Sequence, residues 1–376
     1  MNRVTFTGMT VRGRVVSASL VVAMLGASGL DTWAAAKSAS RRQKRPAAAR
    51  RTQARRVAIA PPSVVVPPGA SARDLAVAEA SRRALAGAGG AVVAMDPHSG
   101  RVLSIVNPGT AVQRAYQPCS VFKIVVAIGG LTEGVITPST LITCDGGCWF
   151  WPGHGPTDLR RALANSCNPY FQRVGERLGY EKVQRYAQLF GLGTRSGINV
   201  EGDEASGRIP YYVNQAGVGK LSSHAEGIST SAVQLAVLLS AVVNGGVVYQ
   251  PQLSAAEGFT PKERWRLPSG TVLRGLADGF LSAVNEGSAA EAFDPDIVVA
   301  GKTGTCAGVG WFASYAPADK PEIVTVVFLR SATGHQASSV AGRLYQELYK
   351  GLPGTVAAGA AVPAAQTAGD STPGGR

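Results

Sequence analysis

The chain has 376 residues, 45% of them hydrophobic and 16% charged, enough apolar material for one large domain or two ordinary ones and too much for a wholly disordered chain. The formal charge of +13 gathers at one end: residues 1–56 hold twelve Lys and Arg against Asp31 alone, a net +11, which leaves +2 for the rest. A globular part so near neutral excludes an extended basic face, so nucleic acid is not expected as a partner.

Arg3, Arg12 and Arg14 precede a mostly apolar run, 15–30, and Trp33-Ala34-Ala35-Ala36 offers a small-residue cleavage site, the pattern of an export signal. Sixteen helical residues reach about 24 Å against about 30 Å of bilayer core, which favours a cleaved signal over a retained anchor. Nine basic residues between Lys37 and Arg56 follow, then Pro61, Pro62, Pro67 and Pro68. That composition builds no core and reads as a linker, either solvated or lying against anionic envelope polymers. The expected division is a signal peptide or anchor at 1–36, a linker at 37–70, a folded domain at 71–352 and an Ala/Gly/Pro/Thr-rich tail at 353–376. The expected location is outside the cytoplasm, periplasmic or in the cell envelope.

Within the domain, apolar spacing predicts a helix over 73–87 and a hairpin from 91–95 and 101–106 around Asp96-Pro97-His98-Ser99-Gly100. A buried helix follows, beginning near Pro118 and ending near Gly134. Residues 137–155 read as a loop with Trp149, Phe150 and Trp151 clustered, either lining a groove or capping the core. Helices are predicted over 158–163, 170–178, 181–190, 230–243 and 272–285, with a break at Asn168-Pro169. A short strand at 247–253, strands at 297–301, 310–315 and 323–329, and a helix at 338–352 complete the domain. Strands at both chain ends with helices between them predict an α+β fold, an antiparallel sheet flanked by helices with an all-helical region inserted.

The chemistry is sharpest at Tyr116-Gln117-Pro118-Cys119-Ser120-Val121-Phe122-Lys123. Ser120 and Lys123 interrupt an apolar run and share a helix face. A lysine there either snorkels to water or stays buried with a lowered pKa, and a neutral amine can take the proton of a neighbouring serine. Two further polar clusters are Ser166-Cys167-Asn168 and Lys302-Thr303-Gly304-Thr305.

Taken together, Ser120-x-x-Lys123, Ser166-x-Asn168 and Lys302-Thr303-Gly304 resemble the three motifs of serine penicillin-recognising enzymes. Over residues 85–352 the chain is similar to the transpeptidase domain of class B penicillin-binding proteins, which implies a β-lactamase/transpeptidase-like fold. The resemblance implies Ser120 as acylated nucleophile, Lys123 as its base, Ser166 as proton relay, and Lys302 as a charge for the substrate carboxylate that keeps Lys123 neutral. It implies Asn168, Thr303, Gly304 and Thr305 as substrate-binding residues, with Ser120 and Thr305 N–H groups forming an oxyanion hole. The implied substrates are peptidoglycan stem peptides, the implied inhibitors β-lactams, and the implied partner a cell-wall glycosyltransferase, although a linker stands where class B proteins usually carry a pedestal domain. The same motifs serve a D,D-carboxypeptidase, a class D-like β-lactamase or a non-enzymatic β-lactam or muropeptide sensor.

Five cysteines leave at least one unpaired in a monomer. Cys144 and Cys148 read either as a disulfide or as free thiols. Cys119, Cys167 and Cys306 stand in or beside the motifs, by coincidence or as a redox-sensitive set. No His/Cys spacing is read as a zinc site, and neither metal nor cofactor is expected. His98, His154, His224 and His335 read as surface or packing residues, with His154 the candidate substrate contact. Glu226 is assigned no role.

Overall fold

A computed structural model describes residues 61–350 except 86 and 268–270. The signal segment, residues 37–60 of the linker and the tail lie outside the described residues. Among the described residues no helix is long and apolar enough to cross a membrane.

The first part of the domain supplies β1 (Val64–Val65), α1 (Ala72–Leu85), β2 (Gly90–Met95), β3 (Val102–Val106) and α2 (Pro108–Ala111). A 3₁₀ turn, Cys119–Phe122, leads into α3 (Lys123–Thr132). The middle holds β4 (Ile142–Cys144), β5 (Gly155–Thr157), α4 (Leu159–Ala164), α5 (Asn168–Leu178), α6 (Tyr180–Leu189), α7 (Gln215–His224), α8 (Ala232–Val243), β6 (Val247–Tyr249), β7 (Glu263–Arg266) and α9 (Thr271–Asn285). The last part is β8 (Ala300–Cys306), β9 (Val309–Ala316), β10 (Ile323–Arg330) and α10 (Gly334–Lys350).

Six strands form one antiparallel sheet in the order β1-β3-β2-β10-β9-β8. The seam between the two chain ends is β2 on β10, with Val93 opposite Val326. The α+β architecture, with helices inserted between the two groups of strands, is the one the sequence predicts. Strand alternation divides the core in two. Ala91, Val93, Val326 and Phe328 face the inserted helices, among them α3, α5 and α8. Val92, Ala94, Val327 and Leu329 face α1 and α10. With both faces covered, β2 and β10 read as continuous apolar runs rather than alternating ones.

The sheet starts earlier than the sequence suggests. Val64 pairs with Val106 and Val65 with Ile105, inside the span read as linker. Flanking prolines do not forbid this, because an edge strand needs donors on one side only.

Arg101, just before β3, is anchored to Asp74 of α1, Nη1 to Oδ1 at 3.0 Å, and both side chains are buried. Burial pushes the Asp74 carboxyl up, but hydrogen bonds from Arg101 and Ser71 outweigh it and hold the pKa below the usual value. A depressed carboxyl stabilises the fold above its unfolded pKa, near 4, and that contribution is lost as pH falls through the folded value. Asp74→Ala leaves a buried guanidinium unpaired and is expected to lower stability by about 3–5 kcal/mol in denaturant melts at pH 7.

Candidate active site

Cys119 has φ +53°, a left-handed conformation, and Ser120 to Phe122 then wind as a 3₁₀ turn rather than the α-helix the sequence suggests. Three residues per turn place side chains i and i+3 directly above one another, so the tighter winding brings Ser120 over Lys123. Val121 and Phe122 are fully buried while Ser120 stays partly open. Trp311 supports the turn, donating from Nε1 to Gln117 O at 2.8 Å. Gln117 Nε2 donates to His224 O at 2.7 Å.

Lys123 opens α3 with its side chain fully buried. Its Nζ lies 2.7 Å from Ser166 O, 2.7 Å from Asn168 Oδ1 and 3.1 Å from Ser166 Oγ, and 5.5 Å from the Phe171 ring centroid. Burial pulls the amine down to about 7. A neutral amine has two protons and one lone pair. The carbonyl and carboxamide oxygens take the two protons, which leaves the lone pair to accept from a hydroxyl.

The acceptors are presented by the junction of α4 and α5. Ser166 N–H bonds to Leu163 O at 3.3 Å and Cys167 N–H to Ala162 O at 2.9 Å, a Schellman closure of α4. The left-handed position, usually glycine, is Ser166 at φ +53°. A side chain there costs roughly 1 kcal/mol, and this serine meets Lys123 with both its carbonyl and its hydroxyl. Pro169 occupies the first turn of α5, where no N–H is needed. The break therefore falls at Ser166-Cys167, and Asn168 is already helical.

Lys302 lies on β8, the edge of the sheet opposite β1. Its side chain is fully buried, with Nζ donating to Thr303 O at 3.0 Å. Burial first and the Lys123 charge second hold its pKa well below the lysine norm. The lysines thus face a common interior. The expected repulsion falls on Lys302, whereas Lys123 owes its lowered pKa to burial.

The remaining motif residues separate by strand alternation. A methyl added at Gly304 would meet Pro118 O at 2.7 Å and Val121 Cγ2 at 3.1 Å, so only glycine lets β8 lie against the nucleophile turn. Gly304→Val is expected to cost about 1–3 kcal/mol of stability, read by denaturant melts. Thr303 and Thr305 point the other way. Thr303 Oγ1 is buried and joined to Ser288 Oγ at 2.7 Å. Thr305 is exposed, and its Oγ1 accepts from Gly334 N–H at 2.7 Å, leaving its own proton to donate.

Of the two readings of Cys144 and Cys148, the free thiols hold, and the pairing lies elsewhere. Cys119 and Cys306 form a disulfide, joining the residue before Ser120 to the residue after Thr305. Cys144, Cys148 and Cys167 are free. With His154, those three place one donor atom each within 4.8 Å of one another, although their spacing in the sequence does not suggest a metal site. His154 stacks on Phe150, and both its ring nitrogens are buried, which withdraws it from substrate. His98 meets Pro321 O at 2.8 Å and His335 meets Glu291 Oε2 at 3.1 Å, contacts of surface residues.

Comparison with known proteins supplies the family and the fold. Stage V sporulation protein D of Bacillus subtilis is 29% identical, over 64% of this chain and 45% of its own. Peptidoglycan D,D-transpeptidase MrdA of Haemophilus influenzae is 29% identical, over 71% of this chain and 53% of its own. The chain spans about half the length of these curated relatives. The transpeptidase domain of Burkholderia pseudomallei penicillin-binding protein 3 superposes with TM-score 0.64 at 23% identity, covering 75% of this chain and 94% of that one, a likeness of fold. Residues 90–350 match the sequence model described as the penicillin binding protein transpeptidase domain, and the chain belongs to that family.

Proposed function

We propose that the chain is an exported, serine-type D,D-transpeptidase that cross-links peptidoglycan stem peptides through acyl-Ser120 and is acylated by β-lactams. The observation that carries this reading is a buried lysine with a pKa of about 7, one 3₁₀ turn from a serine and gripped by Ser166 and Asn168.

Neutral Lys123 takes the Ser120 proton as Oγ attacks the penultimate D-Ala carbonyl carbon. The carbonyl oxygen becomes an oxyanion at the Ser120 and Thr305 N–H groups, each donor worth roughly 3–4 kcal/mol. The C–N bond then breaks, and the proton passes from Lys123, by way of Ser166, to the departing D-Ala nitrogen. An amine from a second stem attacks the ester, gives its proton to Lys123, and Ser120 regains its hydrogen.

The terminal carboxylate supplies the negative charge that buried Lys302 lacks. Protonating Lys302 then disfavours a proton on Lys123, so substrate arrival itself readies the base. Asn168 gives its oxygen to Lys123 and keeps two N–H donors for a substrate carbonyl. Thr305 donates to the carboxylate. A cell-wall glycosyltransferase working beside this domain would supply the glycan strands that carry the stems.

Free D-Ala measured from a stem pentapeptide, with and without an acceptor amine, tests this. Release with cross-linked product, absent in Ser120→Ala, is expected. Release to water alone makes the protein a carboxypeptidase, and no release from the wild type removes the reading.

A further inference from the structure

The second cluster of chemistry lies behind Ser166 and Asn168 and has no part in the reaction above. Cys144 ends β4, Cys148 lies in the loop that follows, His154 immediately precedes β5, and Cys167 caps the N-terminus of α5. Three donors thus come from one hairpin and the fourth from the Ser166–Asn168 segment.

Three observations and one chemical argument converge on a metal. The three sulfurs and one ring nitrogen all lie within 4.8 Å of each other. Tetrahedral zinc, with bonds of about 2.0–2.3 Å, requires donor separations of roughly 3.5–4 Å, so four donors gathered this closely suit one ion. Both ring nitrogens of His154 are buried and without a hydrogen-bond partner, an outcome that costs free energy unless something occupies one of them. Backbone N–H groups of Asn168 and Phe150 point at Cys148 sulfur, the outer contacts that steady a metal-bound thiolate. Finally, a Cys148–Cys167 disulfide would use two donors and strand Cys144 and His154, whereas a tetrahedral ion satisfies all four.

The loop is shaped to deliver its ligands. Gly153 has φ +124°, and a methyl there would overlap Cys144 O, so the chain closes on itself only through glycine. His154 is also held laterally, stacked 5.4 Å from Phe150 and edge-on to Trp149 at 5.8 Å. Trp149 Nε1 in turn donates to Asn165 O at 2.7 Å, next to Ser166.

We propose that Cys144, Cys148, His154 and Cys167 bind one zinc ion, and that this ion pins the Ser166–Asn168 segment in the position where it grips Lys123. Binding releases the thiol protons: Zn²⁺ and three thiols give a zinc tris-thiolate, completed by neutral imidazole, and three protons. Thiolate and imidazole donors in a tetrahedron select zinc over the hard oxygen-seeking cations. Metal binding stands independently of the acyl-serine reading, while its effect on Lys123 rests on it.

The test uses the full chain purified without chelators. Elemental analysis is expected to find one zinc per chain. Cobalt(II) exchanged into the wild type is expected to show the visible bands of a tetrahedral ion and thiolate-to-cobalt charge transfer. Cys148→Ser, or Cys144→Ser if the first does not fold, should lose the metal to a chelator that leaves the wild type loaded. Chelator-stripped wild type should be acylated by a fluorescent penicillin more slowly, with recovery on adding zinc. Metal-free protein that takes up neither ion, whether its thiols are free or disulfide-linked, overturns the proposal. Stoichiometric zinc with an unchanged acylation rate on stripping overturns the pinning role. Zinc-loaded wild type that never labels removes the acyl-serine reading and the pinning role with it, and leaves the metal site standing.

Discussion

Lys123→Ala is expected to slow acylation of Ser120 by a penicillin by roughly 10²–10⁴-fold, the usual range for losing a general base. The wild-type rate should rise with pH and level off above about 7, because burial holds the amine near that value and only its neutral form accepts the serine proton. In Lys123→Ala this rise should disappear. Stability follows the same group. The folded amine binds its proton more weakly than the unfolded one, so the chain gains stability as pH rises from about 7 towards 10.5. Below pH 7 this weakened proton binding opposes folding in full, by about 5 kcal/mol. Stopped-flow labelling from pH 5 to 9 reads the catalytic side. A rate in Lys123→Ala within tenfold of wild type would remove the base assignment.

Replacing both Cys119 and Cys306 by alanine is expected to lower stability by as much as about 5 kcal/mol. The bridge spans 187 residues, and closing so long a loop removes entropy from the unfolded chain on that order. At roughly 2 °C per kcal/mol for a domain this large, the melting temperature should fall by about 10 °C. The effect extends to the site, since the bridge fixes the left-handed Cys119 beside Ser120 and ties that turn to the end of β8. Penicillin acylation should slow even where the variant remains folded. Calorimetry of the double variant against wild type checks the stability claim, and equal melting temperatures would contradict it.

The three polar motifs and the long strands were legible because each is local. Ser120 and Lys123 lie within four residues, and β2 and β10 show their burial as unbroken apolar runs. What the sequence hid depends on distant partners. The 3₁₀ winding at Ser120 follows from a left-handed Cys119 whose bridge partner is 187 residues away. Helix α7 leaves no clear signal in the sequence, since Gly217 and Gly219 suppress its propensity. It forms because α5 and α7 cross closely, so closely that a methyl at Gly175 would overlap Ser222. The hairpins β4–β5 and β6–β7 have strands of three or four residues, too short for a period to register. The Cys144, Cys148, His154 and Cys167 donors were visible as letters, but only the fold of the hairpin against α5 shows that they meet. Thr303 illustrates the reverse: its motif suggested a ligand contact, and strand alternation turned its hydroxyl towards Ser288.

The central claim is that Ser120 Oγ is the atom acylated. Mass spectrometry of peptides from protein treated with penicillin tests it most directly. The expected result is one adduct, equal to the intact drug, on the peptide carrying Ser120 and absent from Ser120→Ala. An adduct on another residue, or none, would contradict it.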